Sequence, residues 1–412
     1  MALNYIWVSF FLLAFVVALI KLIVFNDTEV FPALLASTFD NAKTGFEISL
    51  YLTGVMSLWL GLMKIGEKGG MVPILARLVG PFFSRLFPEV PRDHPATGSI
   101  IMNFSANILG LDNAATPLGL KAMKELQEIN PDPDTASNAQ ITFLVLNTSG
   151  LTIIPLAIIV DRAALGSVDP TSIFIPTLIA TFCSTMVGLL YLSFRQRLRL
   201  HDPVLLAYIG GLTGIIALAV WYFLSLPPDQ LQAQSSLISS LIIISIIVSF
   251  LVLGLVRKVK LFETFVEGAK DGFVTSVKII PYLVAMLVGI GIFRASGTLD
   301  YIIGGIGSLF ALMGINTEFV DALPVAFLKP LSGTAARGMM LDVASSENFG
   351  PDSFVGNLAS IFRGCTETTF YILAVYFGSV NIKNSRYALT AGLVADLTGI
   401  IAGVFIAYLF FH

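Results

Sequence analysis

Nine stretches of this chain are apolar and almost free of charge: 4–25, 44–63, 139–160, 171–194, 203–226, 237–256, 277–293, 357–378 and 387–411. A helix needs about 20 mostly apolar residues to cross the hydrocarbon layer of a bilayer. A chain with so many such stretches cannot hide them in one soluble core. Only 12% of its 412 residues are charged, against about 25% in soluble domains. The expected fold class is therefore an all-α polytopic membrane protein. An ordinary soluble enzyme and a disordered chain are excluded on the same ground. A net charge of −3 gives no electrostatic reason to bind nucleic acid. The first stretch is too long for a signal-peptide core and lacks a cleavage site, so it is expected to stay as an anchor. Cys183 and Cys365 lie in apolar stretches, and two cysteines make neither a disulfide framework nor a cysteine metal site.

Two regions, 66–135 and 295–350, break the pattern. Their apolar runs are short and cut by Gly69-Gly70, Gly110, Asn113, Thr116-Pro117, Pro330, Ser332-Gly333 and Gly338. Backbone that leaves the helix at bilayer depth survives only where protein or a wet cavity satisfies it. Broken or re-entrant helices are expected there, and with them a site.

The two regions repeat one another. Ala42-Lys43-Thr44-Gly45-Phe46 returns as Ala269-Lys270-Asp271-Gly272-Phe273, 227 residues on, and Gly70 returns as Gly297. Asn113-Ala-Ala-Thr-Pro-Leu-Gly119 resembles Ser332-Gly-Thr-Ala-Ala-Arg-Gly338, and Asn147-Thr148-Ser149 resembles Cys365-Thr366-Glu367. Matches in one order over most of each half indicate a duplication. The chain divides into an anchor helix (1–26), a first repeat (27–194), a two-helix connector (195–260) and a second repeat (261–412).

Lys and Arg in short loops set orientation. Arg195, Arg197 and Arg199 precede the connector pair, Arg257, Lys258 and Lys260 follow it, and the loop between them has neither residue type. Both clusters are expected on the cytoplasmic side. Lys121 and Lys124 precede the span at 139, whereas 342–352 before the span at 357 has no Lys or Arg. After these spans the bias reverses, with Lys383 and Arg386 following the second. Inverted repeats follow, an arrangement that in secondary transporters places the substrate near the midplane between broken helices. A duplicated bundle without a substrate is the alternative.

The candidate site residues are polar groups at or near these breaks. Arg363-Gly-Cys-Thr-Glu-Thr-Thr369 is the densest cluster. On a continuous helix Arg363 and Glu367 would share a face and pair, either serving a site or only fixing helix packing. Ionisable residues at bilayer depth mark functional sites by default. Thr366 and Thr369 add hydroxyls for a polar solute or small cation. Burial would raise the proton affinity of Glu367, making it the candidate for proton coupling. The first repeat offers Asn147, Thr148 and Ser149, which can also act as ordinary interhelical glue. Asn103 and Asn107, four apart, face one way, and Asn113 and Thr116 lie in the stretch expected to unwind. Ser332, Thr334 and Arg337 are their second-half counterparts. Arg337 is placed to neutralise a carboxylate or phosphate, or else to pair with Asp342.

No His-Glu-x-x-His, P-loop or Gly-x-Ser-x-Gly pattern is present, and His94, His201 and His412 are not at metal-ligand spacing. The chain is expected not to be an enzyme, with no metal and no cofactor.

Several runs carry a resemblance to known families. Asn4-Tyr-Ile-Trp-Val8, Trp59-Leu-Gly-Leu-Met-Lys-Ile-Gly-Glu67, Asn113-Ala-Ala-Thr-Pro-Leu-Gly-Leu-Lys-Ala-Met123 and Ile141-Thr-Phe-Leu with Asn147-Thr-Ser149 resemble the spore maturation protein A family. Phe265-Val-Glu-Gly-Ala-Lys-Asp-Gly272, Ile280-Pro-Tyr-Leu283, Phe293-Arg-Ala-Ser-Gly297, Pro330-Leu-Ser-Gly-Thr-Ala-Ala336, Gly350-Pro-Asp-Ser-Phe354, Thr366-Glu-Thr-Thr369 and Val375-Tyr-Phe-Gly378 resemble the spore maturation protein B family. The chain resembles a fusion of the two, joined by the connector, and both halves are similar to the nucleoside-recognition, or Gate, domain. The resemblance implies kinship with nucleoside transporters and the membrane part of ferrous-iron transport protein B, and a link to spore-core dehydration. It leads one to expect an apolar residue where Arg337 stands and no charge where Arg363 stands.

The expected function is a transporter or channel for a small polar solute or ion, sited between two inverted Gate repeats. The expected location is the bacterial cytoplasmic (inner) membrane, as a multi-pass protein surrounded by lipid, with a homo-oligomer allowed. The alternative is a membrane scaffold or regulator of envelope or spore assembly that transports nothing.

Overall fold

The computed structural model describes residues 2–91, 93–109, 112–150, 155–197 and 201–412, and at 2–4, 6, 112–114, 228, 229, 232 and 279 the backbone alone. Among the described residues the chain is helical, with one isolated bridge between Thr135 and Asn384 and no strand. The anchor segment forms α1 (Ala2–Phe25), and the first repeat comprises α2 (Val30–Lys68), α3 (Met71–Leu86), α4 (Pro95–Ile108), α5 (Asp112–Glu128), α6 (Asn138–Ser149), α7 (Leu156–Ala164) and α8 (Phe174–Gln196). The connector is α9 (Pro203–Leu224) and α10 (Pro228–Val256). The second repeat comprises α11 (Leu261–Ala295), α12 (Thr298–Leu312), α13 (Leu323–Leu328), α14 (Gly333–Val343), α15 (Phe354–Gly364), α16 (Thr369–Ser379) and α17 (Ala388–Phe411), with a 3-10 turn at Glu318–Ala322.

Seven of these, α1, α2, α8, α9, α10, α11 and α17, are long and apolar enough to cross a membrane. They carry large apolar side chains outward, as at Leu206, Ile215, Leu218 and Trp221 of α9. Exposed apolar surface of this extent is at home in lipid and not in water. The protein is a multi-pass membrane protein.

Two of the nine expected spans are not continuous. Stretch 139–160 is divided between α6 and α7, and stretch 357–378 between α15 and α16. The breaks therefore fall inside these spans as well as in the Gly- and Pro-rich regions, which form short helices. Residues 112–116 belong to α5 and are not unwound, and Gly110 lies outside the described residues. Of the second stretch expected to unwind, 331–335, only Leu331 and Ser332 lie outside a helix, since Gly333–Ala335 form the first turn of α14.

Local chemistry explains several boundaries. Ser137 and Gln140 form a capping box that starts α6. Gly70 and Gly297, matched in sequence, both adopt left-handed backbone, with φ of 84° and 78°. That conformation suits glycine alone at low cost, and it lets α2 and α11 end at equivalent places.

The chain folds into two compact units: Met1–Leu60 with Val160–Pro170 and Ala269–Arg363, and Gly61–Ile159 with Thr171–Gly268 and Gly364–His412. These cut across the sequence repeats, since each unit takes segments from both. In the first unit α2 and α11 pack through repeat-related glycines. A Cβ added at Gly45 would lie 3.1 Å from Val284 Cα. One added at Gly272 would lie 2.7 Å from Ser57 Cα and 2.6 Å from the Met56 carbonyl oxygen. Ser57 and Val284 are themselves 227 positions apart, so the contact is reciprocal, as a two-fold axis would make it. Moving from 45 to 57 on α2 corresponds to moving from 284 to 272 on α11, so the two equivalent helices run antiparallel.

The second unit is organised around an aromatic chain. Phe83 of α3 stacks on Phe104 of α4 at 4.3 Å, Phe104 meets Phe143 of α6 at 5.5 Å, and Phe143 meets Tyr376 of α16 at 5.5 Å. This chain joins three first-repeat helices to a half-helix of the second repeat.

The ion pairs show the same exchange. Arg162, fully buried, reaches across the repeats to Asp352 at 2.9 Å in the first unit. Lys383 reaches Asp134 at 3.1 Å in the second. Asp134 and Asp352 are 218 positions apart, close to the offset of the repeats. The exposed Lys383 pair contributes little, whereas Arg162 also donates to the Pro351 carbonyl at 2.6 Å and is held by a network.

Replacing Gly272 by Leu is expected to lower stability by about 1–3 kcal/mol, because the Met56 backbone cannot yield. Gly54→Leu, with nothing within 4 Å of an added Cβ, should be near neutral. Thermal unfolding of the two variants in detergent compares them directly.

Candidate functional site at two helix breaks

The first break follows Asn147-Thr148-Ser149, the last turn of α6. Gly150 caps this helix with φ of 40°, a left-handed value that a residue with a Cβ adopts at a cost of about 1–2 kcal/mol. The second break is Cys365-Thr366-Glu367-Thr368, between α15 and α16. The repeat makes these two breaks equivalent, and the second unit brings them into contact.

Their backbones complete each other. The last four carbonyls of a helix have no intrahelical donor. The Glu367 N–H donates to the Thr148 carbonyl at 2.7 Å, and the Thr185 hydroxyl of α8 donates to the Ser149 carbonyl at 3.3 Å. Small residues allow the approach. A Cβ at Gly150 would lie 3.1 Å from Glu367 Cγ, one at Gly364 would lie 2.5 Å from Ile158 Cδ1, and one at Gly399 would lie 2.9 Å from Thr366 Cγ2.

An amide chain leads to the first break. Asn107 donates to the Asn147 side-chain carbonyl at 2.7 Å and more weakly to that of Asn103 at 3.4 Å. Asn103 donates to the Ala115 carbonyl at 2.8 Å and Asn147 to the Phe143 carbonyl at 2.8 Å. Thr148 donates its hydroxyl to the Val145 carbonyl at 2.9 Å. Asn103, Asn147, Thr148, Ser149, Thr366 and Thr369 are all buried. The second unit thus gathers Asn103, Asn107, Asn147, Thr148, Ser149, Thr366, Glu367 and Thr369, residues from both repeats.

The remaining candidates stand elsewhere. Thr116 is exposed, and the side chain of Asn113 lies outside the described residues. In the first unit Ser332 caps α14 by accepting from the Ala335 N–H at 3.2 Å, and Thr334 is exposed. Arg337 is committed to Asp161, with Nε on Oδ2 at 2.9 Å and Nη2 on Oδ1 at 2.5 Å. It does not pair with Asp342, which Arg294 holds. A bidentate buried carboxylate already neutralises the guanidinium, so the anion-binding role expected of Arg337 lacks a free charge. Arg363 is half-buried in the last turn of α15.

Two premises of the sequence reading change. Arg363 and Glu367 do not share a helix face, because α15 ends at Gly364 and α16 starts at Thr369. Glu367 is exposed, so the burial on which its proton-coupling role rested is not there. A third residue was missed. Asp396, 2% exposed, is the only Asp, Glu, Lys or Arg in the 24 residues of α17. Its Oδ2 accepts from the Thr369 hydroxyl at 2.7 Å. Its sequence signal was a lone carboxylate inside an apolar span, the kind of residue that marks function.

Asp161→Ala is expected to cost about 3–5 kcal/mol by leaving the half-buried Arg337 without its counter-charge. The double variant Asp161→Leu, Arg337→Met should recover most of that loss. Denaturation midpoints of the three proteins in one detergent check the order.

The comparisons with known proteins agree with this geometry. The model of the family described as "Gate: Nucleoside recognition" matches residues 49–163 and 276–383, segments that start 227 residues apart. Both breaks lie within them, and the connector lies outside both. Spore maturation protein B of Bacillus subtilis (strain 168) is 48% identical over 166 residues, 40% of this chain and 90% of that protein. Spore maturation protein A of the same organism is 41% identical over 197 residues, 47% of this chain and 97% of that protein. The two align to different parts of the chain. No solved structure matches. The chain belongs to the nucleoside recognition (Gate) family and carries counterparts of both spore maturation proteins in one polypeptide.

Proposed function

We propose that this protein moves a small polar solute across the bacterial cytoplasmic membrane through the paired helix breaks. It works as a secondary transporter or channel-like protein and not as an enzyme, and the cycle uses no cofactor. The observation that carries the reading is the hydrogen bond from Glu367 N–H to the Thr148 carbonyl, where equivalent breaks of two repeats meet. Broken helices at membrane depth are costly unless they serve a cavity or a bound solute. Repeats built around such breaks are typical of secondary transporters. The antiparallel course of α2 and α11 supports an inverted relation between the halves, as does the reversal of loop charge.

The chemistry of the breaks favours a neutral, hydrogen-bonding solute. Asn103, Asn107 and Asn147 offer amide donors and acceptors, and Thr148, Ser149, Thr366 and Thr369 offer hydroxyls. Arg337 is occupied by Asp161, so the set has no free cation from that residue for a phosphate. Nucleosides and nucleobases have the matching hydroxyls and ring edges, in keeping with the description of the family. The hydroxyls are buried, so the arrangement is that of a closed site, and admission of solute requires the two breaks to part.

The test is a thermal-shift panel of nucleosides, nucleobases, amino acids, dipicolinate, ferrous iron and sodium on the purified full-length protein. A compound at about 100 times its dissociation constant adds about 2.7 kcal/mol to native stability. A nucleoside-class compound is expected to give the shift, and Asn147→Ala to lose it. A folded protein that responds to nothing, and that retains a stable partner in mild detergent, would overturn transport in favour of an envelope scaffold.

A further inference from the structure

Asp396 lies one helical turn beyond Gly392 and just before Gly399 on α17. These two glycines admit the breaks. A Cβ at Gly392 would lie 3.3 Å from the Thr369 hydroxyl oxygen and 3.6 Å from that of Thr148. One at Gly399 would lie 3.3 Å from Cys365 Sγ. The helix that carries the carboxylate thereby packs against both breaks, the carboxylate itself accepts from the Thr369 hydroxyl at 2.7 Å, and Ser184 of α8 donates to the adjacent Ala395 carbonyl at 2.9 Å. Thr369 is the first residue of α16, so the carboxylate also sits at a helix N-terminus, where negative charge is favoured.

A buried carboxylate in an apolar span thus holds the hydroxyl of the first residue of α16. From this juxtaposition we propose that Asp396 is a proton-exchange site coupled to the paired breaks. The carboxylate takes a proton from hydronium, releasing water, and later returns it to water. On protonation the Thr369 hydroxyl loses its anionic acceptor, which loosens the tie between α16 and α17. This rests on the transport reading only for the consequence, namely that opening follows protonation.

The other ionisable groups around α17 are few. Its neighbours α8, α6, α16, α10 and α9 carry Cys183, Tyr191 and Arg195 on α8, Tyr371 and Tyr376 on α16, Asp229 at the start of α10, and Tyr208 and Tyr222 on α9, while α6 carries none. Cys365 and Glu367 lie in the break. Arg195 is placed over the Tyr387 ring at 5.0 Å, nine residues, or about 13 Å of helix, before Asp396.

The experiment treats the full-length protein in detergent with dicyclohexylcarbodiimide across an acid-to-alkaline series and maps adducts by mass spectrometry. A protonated carboxyl adds across the reagent and rearranges to a stable N-acylurea, so labelling reports the neutral acid and needs no solute. Asp396 should be labelled at low pH, with labelling falling as pH rises. Thr369→Val, which removes the hydroxyl donor, should move the midpoint of labelling at Asp396. Asp396→Asn should abolish the adduct. No adduct at Asp396 at any pH, a pH-independent adduct, or an unmoved midpoint in Thr369→Val overturns the proposal. Titrating labelling with a silent solute panel leaves the proton site standing and removes transport. A panel hit with Asp396 unlabelled does the reverse.

Discussion

The hydrogen bond from the Glu367 N–H to the Thr148 carbonyl is the contact on which the rest of this molecule turns. In hydrocarbon, a helix that stops midway leaves carbonyls and amides that water cannot reach, each costing several kcal/mol. One broken helix would be intolerable alone. Two equivalent ones, brought together, satisfy part of each other's need. The duplication supplies a donor-bearing break and an acceptor-bearing break from the same ancestral segment, and α8 adds the Thr185 hydroxyl on the Ser149 carbonyl.

That meeting requires the repeats to exchange segments. The second unit is built mostly from the first repeat and the connector but closes with α16 and α17 of the second. The first unit joins most of α11 to α15 of the second repeat to α1, most of α2 and residues 160–170. The pairs Arg162–Asp352 and Lys383–Asp134 record the exchange with opposite assignments of donor and acceptor repeat. Divergence then shows in burial. Arg162 sits in a buried network where loss of one partner is severe, while the Lys383 pair is exposed and screened by solvent.

Charge has been sorted in the same way. In the first unit Arg337 and Asp161 neutralise each other, as do Arg294 and Asp342. Around the breaks the polar groups are mainly amides and hydroxyls, with Asp396 as the buried carboxylate. Buried ion pairs in low dielectric give rigidity and are costly to separate. Neutral hydrogen-bonding groups exchange partners at far lower cost.

Class, span positions and duplication were legible in the linear chain, because hydrocarbon imposes a length and polarity rule on each helix separately. Seven of the nine expected spans are single helices, and the glycines matched in sequence, Gly45 with Gly272 and Gly70 with Gly297, hold equivalent places. The polar triplets at 147–149 and 365–367 were found as a pair for the same reason. Hydropathy averages over about twenty residues, however, and a four-residue break such as 365–368 vanishes into that average. Arg337 illustrates the other limit. Its partner Asp161 is 176 residues away, and no local pattern distinguishes a neutralised guanidinium from a free one. Asp396 was visible as a charge but not as a neighbour of Thr369. Composition and periodicity act on each helix alone, whereas helix breaks, pairings and neutralisation depend on which segments the folded chain brings together.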